Sequence, residues 1–266
     1  MKKLTIIKVG GKIVESADSL ERLMDDFSRI EGLKILVHGG GRSATALAER
    51  LGIPTVMIEG RRVTDAEMLR VVTMVYGGLV NKQIVASLQS RGINATGLTG
   101  ADMDIIRSHR RPATAKADYG FVGDVDRVDG NAIAALLDRS FVPVIAPLSH
   151  DGHGSMLNTN ADTIASEVAM AMAAVCDSDG KQAFEVTLTF CFEKPGVLAD
   201  ADNDSSVIPV ITTESFARLK ADGTVQGGML PKLENALRAI SRGVSNVIIT
   251  RSDAIANPDA GTRITA

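Results

Sequence analysis

Two stretches of this chain decide its fold, LTIIKVGG at residues 4–11 and KILVHGGG at residues 34–41. Each is a short apolar run that ends in glycines, and a segment with apolar residues at helical spacing comes after each. Strands that alternate with helices indicate an α/β protein with a mostly parallel sheet covered on both faces. The same alternation predicts further strands at residues 55–59, 93–98, 142–147, 184–190 and 247–250.

The segments between these strands predict helices and turns. Asp18 is the expected N-cap of the first long helix, and a β-rich excursion is predicted at residues 119–125. The basic segment 100–116 is interpreted as a solvated loop, and residues 177–180 are the candidate boundary between two lobes. Helices are predicted at residues 19–30, 43–51, 68–91, 161–175, 214–220 and 231–241.

Composition excludes several classes of protein. The 266 residues are 45% hydrophobic and 23% charged, as expected for a globular chain. A net charge of -3, the absence of Trp and the lack of a basic stripe argue against a nucleic-acid partner. No run approaches the roughly 18 apolar residues of a membrane helix, so no membrane partner is expected. Cys176 and Cys191 form no CxxC pair, which favours the reducing cytoplasm.

The glycine-rich strand ends are candidate anion sites. In an open α/β sheet, ligands bind at the carboxyl ends of the strands, where helix N-termini favour phosphate or carboxylate. Lys8 precedes one such glycine pair and Lys232 follows another. Asp162 either supports the N-terminus of its helix or holds these cations, and Arg62 is either a turn residue or a carboxylate ligand. Taken one at a time, these residues are equally compatible with ordinary turns and solvated charges.

Two nucleotide-binding patterns bear on the function of the chain. No GxxxxGK[ST] sequence occurs. The stretch GGGRSA at residues 39–44 satisfies the permissive dinucleotide pattern, and Glu59 sits near the expected acidic position. A Rossmann-type oxidoreductase is therefore a rival interpretation. Lys8 and Lys232 favour phosphoryl transfer instead, because a dinucleotide site has no use for them.

Five motifs occur in a characteristic order: KVGG at 8–11, HGGG at 38–41, GRRVTD at 60–65, NTNAD at 158–162 and GMLPK at 228–232. The series resembles the acetylglutamate kinases of the amino acid kinase family. That resemblance implies an αβα sandwich with a mainly parallel central sheet and two lobes. Residues 1–177 would bind the acylglutamate and form a dimer interface, and residues 178–266 would bind ATP.

The resemblance also implies a reaction. The ATP γ-phosphoryl group would pass to the side-chain carboxylate of N-acetyl-L-glutamate, as part of arginine biosynthesis. No protein nucleophile is needed, because the attacking carboxylate is already ionised near neutral pH. Lys8 would contact the transferring phosphoryl group, and Lys232 would stabilise the leaving ADP. Asp162 would orient both lysines without moving a proton.

The resemblance assigns binding roles as well. Arg62 would hold the substrate α-carboxylate, and Asn158 would hold its amide. Gly40 and Gly41 would present backbone N–H groups to the substrate. Mg²⁺ would arrive with ATP on phosphate oxygens and water, so no dedicated metal site is expected. The nucleotide ligands implied are Gly10, Gly11, Glu193, Gly196 and Gly228.

Three departures from the family pattern bear on specificity. The segment FEK at 192–194 stands where many relatives have TDV, so adenosine contacts there are less certain to carry over. Only seven residues precede Lys8, where arginine-inhibited hexamers carry an extra helix, so a homodimer insensitive to L-arginine is expected. The segment 100–116 offers an alternative to the loop interpretation: it would line the acyl pocket and select N-succinyl-L-glutamate. Its basic residues are Arg107, His109, Arg110, Arg111 and Lys116.

A last alternative is a non-catalytic relative that only senses amino acids. Retention of Lys8, Lys232 and Asp162 argues against it.

Overall fold

The computed structural model describes residues 1–115, 117–227, 229–257 and 259–265. The strands are β1 (Lys2–Val9), β2 (Leu33–His38), β3 (Met57–Ile58), β4 (Arg61–Arg62), β5 (Ala95–Leu98), β6 (Ile106–Arg110), β7 (Gly123–Val128), β8 (Val142–Ile145), β9 (Leu148–His150), β10 (Met156–Asn158), β11 (Phe184–Phe192), β12 (Val210–Ile211), β13 (Asn246–Arg251) and β14 (Thr262–Ile264). The helices are α1 (Gly11–Val14), α2 (Ala17–Arg29), α3 (Gly41–Arg50), α4 (Ala66–Val72), α5 (Asn81–Gln89), α6 (Gly130–Asp138), α7 (Ala161–Ala173), α8 (Thr213–Ala221) and α9 (Met229–Ser241).

The central sheet has the strand order β12-β14-β13-β11-β1-β2-β8-β5 in the described part of the chain. Neighbouring strands are parallel except for the antiparallel pair β13 and β14. Strand β1 lies between β2 and β11, and Lys8 is in register with Val37 and Phe190. The carboxyl ends of these three strands therefore meet at one edge, and that edge carries the candidate site.

Helices cover both faces of this sheet. Leu4 and Ile6 of β1 face the core built with α7, whereas Ile7 and Val9 face the core built with α2. All four side chains are buried. Because alternate residues of a strand point to opposite faces, a strand buried on both sides is mostly apolar along its length. The two cores confirm the predicted αβα sandwich with a mainly parallel central sheet.

A smaller sheet, of order β10-β9-β6-β7, lies beside the glycine-rich edge. The prediction of a solvated loop over residues 100–116 was wrong for its middle part, because Ile106–Arg110 is strand β6. Helix α6 was also missed. Strand β6 was not predicted because its segment is rich in charged residues. In the structure, Ile106 and Ser108 are buried while Arg107 between them is exposed. This period-two pattern is that of a half-buried strand.

Helix α4 runs without a break into a π-helical segment, Thr73–Val80, and then into α5. Together they form the helical stretch Ala66–Gln89, which by length and composition alone would suffice to span a membrane. A lone helix of this kind is weak evidence for a membrane, because core helices pass the same test. Here Val71, Val72 and Val75 are buried in the core against the sheet, which accounts for the apolar composition.

One predicted helix cap was wrong. Ser16, and not Asp18, is the N-cap of α2, since its hydroxyl accepts a hydrogen bond from the Ser19 backbone N–H. Asp18 lies in the first turn of the helix, where a negative charge is favourable.

Candidate active site

Two glycine loops meet at the carboxyl ends of β1 and β2. A Cβ on Gly39 would lie 3.0 Å from the backbone nitrogen of Gly11, so the loops approach this closely because neither residue has a side chain. Gly40 is the N-cap of α3, and Glu15 accepts a hydrogen bond of 2.7 Å from the N–H of Ser43 in its first turn. The N–H groups of Gly40 and Gly41 have no acceptor among the described residues. They are therefore available to an anion.

A carboxylate between two ammonium groups lies at the same edge. One oxygen of Asp162 is 2.6 Å from Lys8 Nζ, and the other is 3.1 Å from Lys232 Nζ. The exposed fractions of these side chains are 8% for Lys8, 14% for Asp162 and 25% for Lys232. Asp162 is placed by the first turn of α7, where the Asn160 side chain caps its backbone N–H at 2.8 Å. The structure thus brings together all three residues predicted to be catalytic.

The electrostatics of this cluster follow from burial and neighbouring charge. Burial by itself would raise the pKa of Asp162, but the charges of Lys8 and Lys232 outweigh it and hold the pKa below its usual value. Burial lowers the pKa of Lys232, and Asp162 opposes that shift. Two ammonium groups around one carboxylate leave a net positive charge in a largely desolvated place. Such a place attracts a phosphoryl group.

Phe192 contributes to the cluster and was not predicted to do so. The Lys232 ammonium lies 3.9 Å from the centre of the Phe192 ring, within the range of a cation–π interaction. The ring also stacks on Phe190 at 6.4 Å. Its position at the last residue of β11 was the available signal, because that strand end lies next to Lys8 in the sheet.

A cavity of about 220 Å³ lies beside the Lys8–Asp162–Lys232 cluster and is lined by residues between 39 and 161. All four residues predicted to bind the acylated substrate line it: Gly40, Gly41, Arg62 and Asn158. Sequence reasoning missed two further lining residues, Tyr76 and Arg61. Tyr76 lies directly beneath the glycine loop, since a Cβ on Gly40 would be 2.9 Å from its ring.

Arg62 is a buried cation without a carboxylate partner in the described residues. Its guanidinium donates to the Gly41 carbonyl at 2.8 Å and to the Thr45 hydroxyl at 2.9 Å. These acceptors are neutral and only 9% of the residue is exposed. A buried charge of this kind requires a counter-charge, and a substrate carboxylate in the cavity would supply it. Asn158 is held nearby, its amide donating to the Thr64 hydroxyl at 2.9 Å.

Two adjoining cavities lie on the other side of this cluster, and residues of the C-terminal part of the chain contribute to both. The first, of about 360 Å³, is lined by Lys8, Lys232 and Glu193, and also by Gly10 and Gly11. The second, of about 560 Å³, contains Gly196 and shares Lys194 and Met229 with the first. Glu193 forms an ion pair with Lys12 across the cleft. The predicted ligand Gly228 lies outside the described residues.

The basic segment does not line the acyl cavity in the described part of the chain. Each of its described basic side chains instead has a carboxylate partner. Arg107 pairs with Asp104 at 2.7 Å, and Arg111 pairs with Asp124. The other two pairs are His109 with Asp126 and Arg110 with Asp118. Lys116 lies outside the described residues.

The dinucleotide interpretation is overturned by the place of its acidic residue. Glu59 lies in the turn between the antiparallel strands β3 and β4, with φ of 49°. The Rossmann pattern requires an acid that reaches the ribose from a parallel strand of a βαβ unit. In the described residues, no group of three His, Cys, Asp or Glu side chains is spaced to hold a metal ion.

Comparisons with known proteins agree with this site. Fold and site together define a phosphoryl-transfer enzyme built on an αβα sandwich. The model of the amino acid kinase family matches residues 3–251, and the chain belongs to that family. The predicted resemblance to the acetylglutamate kinases is also confirmed. The acetylglutamate kinase of Phocaeicola vulgatus is 62% identical over 262 residues, 98% of either chain.

Two further comparisons support these assignments. The acetylglutamate kinase of Bacteroides fragilis is 60% identical over 98% of this chain and 97% of its own. Carbamate kinase from Giardia lamblia bound to AMP-PNP has a TM-score of 0.70 at 14% identity, covering 99% of this chain and 98% of the other. At that identity the second comparison concerns the fold alone. The protein is therefore an enzyme, a kinase that uses ATP.

Proposed function

We propose that this enzyme phosphorylates the side-chain carboxylate of N-acetyl-L-glutamate with ATP, giving N-acetyl-L-glutamyl 5-phosphate for arginine biosynthesis. The observation that carries the proposal is the Lys8–Asp162–Lys232 cluster, which adjoins the cavities proposed for acceptor and nucleotide. Relatives of full length that are named acetylglutamate kinase support the choice of substrate.

The chemistry requires alignment and charge neutralisation. A side-chain carboxylate oxygen of the substrate attacks the γ-phosphorus of ATP. An oxygen–phosphorus bond forms while the bond from phosphorus to the bridging oxygen of ADP breaks, and ADP leaves with that electron pair. Lys8 contacts the transferring group, and Lys232 offsets the charge that develops on ADP. Asp162 keeps both ammonium groups in place.

The acceptor is held on the other side of the cluster. Arg62 forms the ion pair with the substrate α-carboxylate, since its remaining donors have no carboxylate among the described residues. Asn158 binds the substrate amide. The free N–H groups of Gly40 and Gly41 receive the reacting oxygens.

The nucleotide occupies the two C-terminal cavities, with its phosphates near Gly10, Gly11 and Lys8 and its adenosine near Gly196. Mg²⁺ supplies charge neutralisation when it is bound. Both oxygens of Asp162 are engaged by lysines, so phosphate oxygens and water remain as the main metal ligands.

Residues 1–177 form the acylglutamate lobe and residues 178–266 the ATP lobe in this proposal. The first lobe also forms the homodimer interface, which is supported by the exposed apolar side chains of Met74 and Leu79 on the long helix. A cytoplasmic location is supported by the free thiols of Cys176 and Cys191. Light scattering of the purified protein should give twice the mass of the chain, and a monomer would exclude the dimer.

A coupled assay of ADP release tests the reaction directly. N-acetyl-L-glutamate should support turnover in the presence of Mg-ATP, and unmodified L-glutamate should not. Omission of Mg²⁺ should abolish turnover. Mg-ATP should raise the melting temperature whereas NAD should not. Absence of turnover with every acylated glutamate would refute the proposal.

A second candidate substrate is N-succinyl-L-glutamate, and Arg61 favours it. Arg61 lines the acyl cavity beside Arg62, and its exposed side chain forms no ion pair or hydrogen bond within the described chain. Desolvation and the charge of Arg111 lower the pKa of Arg61 against the opposing charges of Asp124 and Glu59, so a further counter-charge beside it would be favourable. The terminal carboxylate of a succinyl group would provide it.

The side-by-side assay decides between the two acyl groups. If the succinyl substrate is preferred, Arg61→Gln should raise its KM by roughly 10-fold or more and leave the acetyl substrate unaffected. Arg107→Gln is the matched control, because Arg107 pairs with Asp104 outside the cavity. Equal or better use of the acetyl substrate by the unmodified enzyme would exclude the succinyl assignment.

A further inference from the structure

His38 is a buried histidine directly behind the glycine loop. The reaction proposed above gives it no role. None of its surface is exposed. It is the last residue of β2, so its backbone leads straight into Gly39 and Gly40. Its ring is a hydrogen-bonded part of the core and contacts this loop.

The hydrogen bonds of the ring define which nitrogen carries the proton. Asn81 donates its amide Nδ2 to the Val144 carbonyl at 2.9 Å, and the same nitrogen is 3.1 Å from His38 Nε2. Since Val144 offers only an acceptor, Nδ2 is a donor and Nε2 of His38 must accept. The ring therefore carries its proton on Nδ1, which donates to the Gly39 carbonyl at 2.7 Å.

The Gly39 carbonyl belongs to the same peptide group as the Gly40 N–H. In a trans peptide these two bonds point in opposite directions. A carbonyl fixed toward His38 therefore directs the Gly40 N–H away from the core. A Cβ on Gly11 would lie 3.4 Å from the backbone nitrogens of both Gly40 and Gly41. Gly11 lines the nucleotide cavity and Gly40 the acyl cavity, so this N–H lies where the two cavities meet.

A peptide between two glycines has unusual freedom to rotate, because no side chain opposes it. Something must keep its plane in place if the N–H is to be ready for an anion. We infer that His38 is the positioning residue that does so: its Nδ1–H holds the Gly39–Gly40 peptide so that the Gly40 N–H faces the transferring phosphoryl group. The inference rests on the proposed phosphoryl transfer, and Asn81 sets the tautomer on which it depends.

Kinetics of two His38 variants test the inference. His38→Phe keeps a flat ring and removes both nitrogens, so kcat should fall by roughly 10²-fold, as for the loss of one donor to developing charge. The KM for Mg-ATP should change by less than about 3-fold, because the nucleotide cavity is untouched. His38→Asn retains an amide donor near the Nδ1 position and should recover about 10-fold of the lost kcat. A His38→Phe enzyme with kcat within about 3-fold of the unmodified enzyme would overturn the inference.

Asn81 offers a second test that does not depend on folding of the His38 variants. Asn81→Asp replaces the donor to Nε2 by an acceptor, which moves the ring proton to Nε2 and removes the bond to Gly39. Its kcat should fall by a similar factor. Lys82→Met is the control, because in the described part of the chain Lys82 donates to the amide oxygen of Asn81 and to the Gly97 carbonyl but not to His38. Full activity of the Asn81→Asp enzyme would contradict the tautomer argument.

Nitrogen NMR of the intact enzyme labelled with ¹⁵N-histidine reads the tautomer without any assay of activity. His38 should show a protonated Nδ1 and a bare Nε2. A protonated Nε2 would refute the positioning role even in a fully active kinase. If no acylglutamate is phosphorylated while the tautomer is as expected, the proposed function fails and the structural part of the inference stands.

Discussion

The burial of His38 makes a quantitative prediction about acid. Burial lowers the pKa of this histidine to about 4, while its hydrogen bond to the Gly39 carbonyl opposes the shift and the charge of Lys82 adds to it. In the unfolded chain the group titrates near 6.5. Between these two values the unfolded chain binds more protons, so acid favours unfolding. The neutral ring contributes its stability above pH 6.5, and that contribution is lost as the pH falls toward 4.

The size of the effect follows from the two pKa values. Between about pH 7.5 and 4.5, this single group should remove about 2.5 kcal/mol from the free energy of unfolding. Carboxylates such as Asp162 also lose stabilising interactions in acid. Their contribution is shared by enzyme variants that retain them, so a difference between two proteins isolates the histidine.

Urea unfolding of the unmodified enzyme and of His38→Asn at several pH values measures that difference. The variant does not titrate at this position, so the stability gap between the two proteins should shrink by about 2.5 kcal/mol over the pH range above. His153→Asn, which removes an exposed histidine, is the matched control. A pH-independent gap for His38→Asn would show that the folded enzyme tolerates a charged ring, and the reasoning from burial would be refuted.

Three further predictions concern the site. Asp162→Asn leaves two ammonium groups without their shared counter-charge, so kcat should fall by roughly 10²-fold or more in the ADP-release assay; an unchanged kcat would remove its assigned role. Gly40→Ala places a methyl group 2.9 Å from the Tyr76 ring and should raise the KM of the acylated substrate by roughly 10-fold, whereas Gly78→Ala, whose Cβ meets nothing within 4 Å, should leave KM unchanged. Glu193→Gln breaks an exposed ion pair and should alter the free energy of unfolding by less than about 1 kcal/mol in a urea titration, so a larger loss would contradict the surface character of that pair.

Much of the fold was predictable because its signals are local. The first two strands have mostly apolar central residues and are followed by glycines, so their position and their burial on two faces could be predicted from the sequence. Strand β6 could not, because its arginines suggested a loop. Those arginines pair with Asp104 and Asp118, and the pattern of hydrophobic residues does not report such partners.

Part of the candidate site was likewise predictable from the sequence, and part was not. Glycines and lysines at strand ends could be recognised, and the structure brings Lys8, Asp162 and Lys232 together as expected. Phe192 and His38 were not recognised as participants. An aromatic ring beneath an ammonium group, or a histidine that fixes a peptide plane, depends on the packing of several elements and leaves no spacing in the sequence.

The π-helical segment Thr73–Val80 limits where residues can be lost from this helix within the family. In this segment the Asn81 N–H donates to the carbonyl of Tyr76, five residues earlier, so the helix carries a wider turn than an α-helix. Deletion of one residue there would narrow the turn to that of an α-helix and leave the flanking helices close to their present orientation, whereas deletion from α4 or α5 would rotate everything beyond it by about 100°. Single-residue deletions in active relatives should therefore fall within Thr73–Val80 and be absent from α4 and α5.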